Sequence, residues 1–101
     1  MAYEIVWLEQ AERAIDRIYA KLLTPDDDDT RSKQFLVEAI GKVDDLATFP
    51  RLGREVGKGF RRLLLWNNRY GLYYEIAGRR VIIHRIVDLR QESEQIEREL
   101  K

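Results

Sequence analysis

Hydrophobic spacing changes twice along the chain, and each change marks a different kind of element. Tyr3 to Leu8 alternates weakly and is rich in Ile, Val, Trp and Tyr, which predicts a strand. From Glu9 to Leu23 the apolar residues Ala11, Ala14, Ile15, Ile18, Tyr19 and Leu22 recur at three- and four-residue steps, with Glu12, Arg13, Asp16, Arg17 and Lys21 opposite. That spacing predicts an amphipathic helix. Thr24-Pro25 ends it, because proline disfavours helical geometry in the residue before it. A second stripe, Phe35, Leu36, Ala39, Ile40, Val43, Leu46 and Ala47, predicts a helix over 30–47 that stops at Phe49-Pro50. The short link between two such helices favours an antiparallel hairpin. That link is acidic, Asp26 to Asp29, and lacks the alternating ligands and glycine of a calcium loop. It reads as a solvated turn in which Asp29 or Thr30 caps the second helix.

Beyond Pro50 the period shortens to two. Leu52 to Gly59, with three glycines, reads as a loop. Phe60 to Trp66, Arg69 to Ile76 and Arg80 to Val87 predict three strands, joined at Asn67-Asn68 and Ala77-Gly78. Links this short predict an antiparallel meander. Gln91 to Lys101 offers only Ile96 and Leu100 as apolar residues and predicts a short, marginal C-terminal helix. The expected fold is α+β. An N-terminal strand, a two-helix hairpin and the meander form a four-stranded sheet, followed by that helix, in one domain over 1–101. Where the N-terminal strand pairs is not readable.

Strict alternation allots the sheet faces. It groups Tyr70, Leu72, Tyr74 and Ile76 against Gly71, Tyr73 and Glu75. In the last strand it groups Ile82, His84 and Ile86 against Val81, Ile83, Arg85 and Val87. Both faces are largely apolar, and the hairpin covers one. The other predicts a partner surface.

Charge sharpens this picture. The net charge is zero, yet residues 51–90 hold ten basic against three acidic side chains, a net +7. Residues 1–50 carry eleven acidic against six basic, a net −5. A basic sheet beside an acidic helical half suits a polyanion or an acidic protein segment, although interspersed arginines also serve solubility. Without cysteine there is neither a disulfide framework nor thiolate chemistry, and one histidine makes a zinc site improbable. The chain shows no apolar run near the roughly 20 residues of a membrane span and no signal core at its start. It reads as cytoplasmic, with no cofactor, metal or membrane.

Three segments carry a family resemblance: WLEQAERAIDRI at Trp7–Ile18, FPRLGREV at Phe49–Val56, and GFRRLLLWNNRYGLYYEI at Gly59–Ile76. Gly59, Arg61 and the pair Tyr70 and Tyr74 match a glycine, an arginine two residues on, and a return strand with Tyr-x-x-x-Tyr. With this order of elements, the chain resembles the RelE/ParE superfamily of bacterial type II toxins, and is closer to the ParE branch. The resemblance implies growth arrest, a role in plasmid stabilisation, and neutralisation by a cognate ParD- or RelB-like antitoxin in a hetero-oligomer. It also implies one of two targets.

RelE-like members cleave messenger RNA on the ribosome, which needs a base, an acid and cations around the scissile phosphate. At the matching places this chain has Leu63, Leu64 and Leu65 after Arg61-Arg62, Gly71 after Tyr70, and Ile96 where a tyrosine is expected. Arg61, His84, Arg85 and Arg90 are the residues left for catalysis. Histidine is a usual choice for a general base, yet Ile82 and Ile86 flank His84, and alternation puts Arg85 on the opposite face. The nuclease set therefore reads as dismantled. ParE-like members poison DNA gyrase by binding and need no catalytic site. The expected target surface is Arg61, Arg62, Arg79, Arg80 and Arg90. A ribosome-dependent nuclease and a non-toxic antitoxin-binding member remain the alternatives.

Overall fold

Two amphipathic helices have nowhere to bury their stripes except against each other and one side of a sheet, and that requirement organises the molecule. The computed structural model describes residues 2–23, 25 and 28–90. The expected C-terminal helix over 91–101 lies outside them, as do Thr24, Asp26 and Asp27. The elements run β1 (Glu4–Trp7), α1 (Glu9–Leu22), α2 (Thr30–Thr48), β2 (Arg54–Gly57), β3 (Phe60–Leu65), β4 (Tyr70–Ala77) and β5 (Arg80–Asp88). Ala11, Ala14, Ile15, Ile18 and Leu22 of α1 are buried, as are Phe35, Ala39, Val43 and Leu46 of α2. Ser32 joins that stripe because its hydroxyl donates to the Tyr19 carbonyl, 2.8 Å away, tying the two helices together. The start of α2 differs from expectation. Asp29 makes no side-chain cap. Instead Asp28 Oδ1 accepts from both the backbone N–H (2.9 Å) and the hydroxyl (2.6 Å) of Thr30, which holds its carboxyl below the usual range. Asp29 pairs with Lys33, one turn on.

The sheet has five strands rather than four, in the order β1-β5-β4-β3-β2. The extra strand is β2, from the segment read as a loop. It is short, forms an edge, and is bulged between Glu55 and Gly57 as it pairs with β3. Its glycines serve the connection that follows, where Gly57, Lys58 and Gly59 all have positive φ. β1 lies parallel to β5, so the chain's first strand closes the far edge.

One side of this sheet carries the core. Leu63, Leu65, Tyr70, Leu72, Tyr74, Val81, Ile83 and Ile86 pack under the helices. Tyr70 and Tyr74 of the Tyr-x-x-x-Tyr pattern are therefore interior, and burial pushes both phenols above their ordinary value.

Tyr74 anchors the approach to β2. Its hydroxyl donates to the Pro50 carbonyl (2.7 Å) and accepts from the Gly53 N–H (2.8 Å). Arg61 sits across from Tyr74 on the same side and closes the arrangement. Its Nη1 donates to the carbonyls of Gly53 (2.8 Å) and Arg51 (3.3 Å), and its Nη2 lies 3.1 Å from Glu55. Gly53 has no alternative residue here. A Cβ would stand 2.8 Å from the Tyr74 ring and 2.9 Å from the Arg62 carbonyl oxygen.

Two substitutions test this latch by urea unfolding. Tyr74→Phe leaves the buried Gly53 N–H and Pro50 carbonyl without their partner and is expected to cost about 1–3 kcal/mol. Arg61→Met removes charged donors to two carbonyls and is expected to cost about 1.5–3 kcal/mol. An unchanged midpoint in both would show that the 50–55 segment is held by something else.

Candidate functional site

The face of the sheet away from the helices is built from rows of cross-strand partners. Arg54, Arg62, Tyr73 and Arg85 form one row across β2 to β5. Phe60, Glu75 and Ile82 form a second, and Leu64, Gly71 and Val87 a third. Val56, Tyr73 and Val87, with Phe60 and Leu89 beside them, make a small separate core there. Gly71 is what lets the basic row close. A Cβ at that position would meet Leu89 Cδ2 at 2.8 Å and Arg62 Cδ at 3.1 Å, so the aliphatic stem of Arg62 lies across the bare glycine.

The β5 faces differ from those expected. A β-bulge opposite Tyr73 and Tyr74 pairs Arg85 with Tyr73 and Ile83 with Tyr74, leaving His84 as the extra residue. One unpaired residue shifts the alternation by one. Val81, Ile83 and Ile86 therefore all reach the helix-side core, and Ile82, Arg85 and Val87 fall on the outer face. His84 turns outward with them. Its ring lies edge-on to Phe60 with centroids 4.8 Å apart, and its Nε2 is 3.5 Å from Glu75 Oε1. The expectation that His84 and Arg85 point to opposite sides is thus overturned: the bulge puts them on one side.

The other arginines named from the sequence lie in separate places. Arg61 is on the helix side, in the latch. Arg79 stacks 5.5 Å over the Tyr3 ring, and Arg80 Nε lies 3.4 Å from Glu4, both at the β4–β5 turn. Arg90 follows the opposite end of β5, roughly 25 Å away at the usual strand rise. Asp88 holds it there, with Oδ1 3.0 Å from its N–H and 3.8 Å from its Nε. Arg62 and Arg85 share the outer row; the remainder do not form one continuous patch with them.

Sequence reasoning missed Arg54, because its strand looked like a loop. It also missed Asp88, whose side chain is only 10% exposed and gathers Lys21 (3.8 Å), Arg69 (3.7 Å) and Arg90. No local signal in the sequence marks either. Among the described residues no three His, Asp or Glu side chains gather as a metal site, and no helix is long and apolar enough to cross a membrane.

Solved structures share this architecture at low identity. The chromosomal ParDE toxin–antitoxin system from P. aeruginosa matches at 20% identity with a TM-score of 0.69, covering 86% of this chain and 96% of that one. The toxin–antitoxin complex RelBE2 from Mycobacterium tuberculosis matches at 20% identity and TM-score 0.56, covering 87% and 99%. A mutant of E. coli toxin RelE in the free state matches at 21% identity and TM-score 0.60, covering 93% and 90%. These likenesses establish the fold and span both branches. No curated protein matches the sequence significantly. The family model for the ParE toxin of type II toxin–antitoxin systems (parDE) matches residues 5–95. By that match over most of its length, the chain belongs to the ParE toxin family.

Proposed function

We propose that the protein is a gyrase poison of the ParE kind, acting in the cytoplasm to arrest growth and held inactive by a cognate antitoxin. The observation that carries this reading is the fate of Arg61. The β3 arginine that the candidate nuclease set relies on is instead turned to the helix side and bonded to two backbone carbonyls and to Glu55. β3 then continues as Leu63, Leu64 and Leu65, so it brings few further cations to stabilise a phosphorane. What the outer face does offer is a row of guanidiniums, Arg54, Arg62 and Arg85, set into apolar surroundings. Such a surface suits binding to an acidic protein or to a DNA backbone.

The antitoxin fits the edge of the sheet next to that face. Leu52, about half exposed, lies with Arg54, Arg62, Leu63 and Leu64 around a groove beside the β2 edge. An amphipathic acidic segment would bury its apolar residues there and place carboxylates on the arginines.

A second reading, messenger RNA cleavage, keeps one specific support. The bulge sets His84, with Glu75 3.5 Å away, on the same side as Arg85 and Arg62. An imidazole beside a carboxylate, on one face with two arginines, has the composition of a general-base site.

The experiment is incubation of the purified chain with gyrase, supercoiled plasmid and ATP, with products run after protein denaturation. Linear plasmid is expected to accumulate, less so with an Arg62→Glu/Arg85→Glu variant. Absence of linear plasmid, together with cleavage of messenger RNA on ribosomes that His84→Ala abolishes, would replace this reading with the second.

A further inference from the structure

The tip of the β3–β4 hairpin is stranger than a turn requires. Three successive residues, Trp66, Asn67 and Asn68, have left-handed φ of 53°, 55° and 65°. Asparagine accepts that geometry readily. A bulky tryptophan does not, and such a conformation persists only where the surroundings impose it. Here they do. The Glu38 carboxylate accepts the Trp66 N–H, Lys42 holds Glu38 at 3.7 Å and donates to the Leu64 carbonyl at 2.9 Å, and Phe35 meets the indole edge-on at 6.1 Å. The Arg69 N–H bonds the Trp66 carbonyl (3.0 Å), and the Leu89 N–H bonds the Arg69 carbonyl (2.8 Å), fixing the tip to the end of β5.

This frame lines a cleft of about 320 Å³ with Trp66, Asn67, Asn68, Arg69 and Arg90. The volume falls in the range of small-ligand sites, roughly 300–1,000 Å³. Asp88 orients both arginines by their Nε edges, 3.7 Å from Arg69 and 3.8 Å from Arg90. An indole, two side-chain amides and two guanidiniums, gathered on a strained turn that is tied to α2 and to the end of β5, is a set that suits one kind of ligand.

We propose that this cleft holds an unpaired nucleobase with its phosphate. The base stacks against the Trp66 indole, the amides of Asn67 and Asn68 meet its hydrogen-bonding edge, and Arg69 and Arg90 pair with the phosphate. A paired base in a duplex presents neither a free face nor its Watson–Crick edge, so the cleft selects single strands or flipped bases. The inference rests on the reading of the protein as one that works at nucleic acid, and deepens it by naming the element of the ligand it grips.

The test uses the full chain with short single-stranded DNA, RNA of the same sequence, and a blunt duplex. In a Trp7→Phe background Trp66 is the sole indole, because the chain has two tryptophans. Saturable quenching of its emission by a single strand, without quenching by the duplex, is expected. Anisotropy of a labelled strand should show binding weakened about tenfold or more by Trp66→Leu, the scale of one lost stacking contact. Because that change also touches Phe35, the double variant Asn67→Gly/Asn68→Gly and the exposed Arg90→Gln are measured alongside. Glycine keeps the left-handed turn, so weakened binding by a folded double variant supports the site. Quenching by DNA, or by both strands, supports the proposal. Quenching by RNA alone supports the cleft while moving the target to messenger RNA. Quenching by no strand, equal quenching by the duplex, or wild-type affinity in all three variants overturns it. Linear plasmid from gyrase with no strand bound would leave the functional reading standing and remove only this cleft.

Discussion

Strand β5 must serve two faces whose demands do not fit a period of two, and the bulge at His84 resolves the conflict. Val81, Ile83 and Ile86 are all needed beneath the helices, but they are two and then three residues apart. Without an extra residue, either Ile86 or the pair Val81 and Ile83 would face away from the core. Inserting His84 as an unpaired residue lets all three point inward and sends Arg85 and Val87 outward as neighbours of Tyr73 and Gly71. The basic row, the outer apolar cluster and the approach of His84 to Phe60 and Glu75 all follow from that one residue.

The basic residues of the sheet then divide by task. Arg61 falls on the same side as Tyr74 and becomes a strut for the segment leading into β2. Arg62, one position on, crosses to the outer face, where Gly71 leaves room for its stem. Arg80 pairs with Glu4, and Arg79 covers Tyr3, at the edge where β1 joins. Arg69 and Arg90 converge on Asp88 at the opposite end. The two adjacent pairs, Arg61-Arg62 and Arg79-Arg80, thus divide between different partners, since neighbours in a strand face opposite ways.

Much of the fold was legible because its signals are local. The α1 and α2 stripes and the Asn67-Asn68 turn announce themselves in spacing and residue type. β2 was not legible: four residues with a bulge between two glycines look like a loop until β3 supplies its partner. Nor was the bulge, because alternation assumes one residue per pair and His84 gives no sign of being extra. The site suffered more than the fold for that reason. The roles of Arg61, Asp88 and Trp66 come from partners that no periodicity announces, the Gly53 carbonyl for Arg61, Arg69 for Asp88 and Glu38 for Trp66. The family, by contrast, was readable from three short segments, since length, element order and a few residues suffice to mark it.

The most direct measurement of the bulge is a nuclear Overhauser map of the β5 side chains in solution. The structure predicts contacts from the His84 ring protons to the Phe60 ring, and from the Ile86 methyls to the helix-side core it shares with the apolar stripe of α1. Contacts from both His84 and Ile86 to the same face would mean an unbroken alternation. His84 and Arg85 would then lie on opposite sides, and with His84 and Ile86 both outward Arg85 would turn under the helices and the outer basic row would not exist.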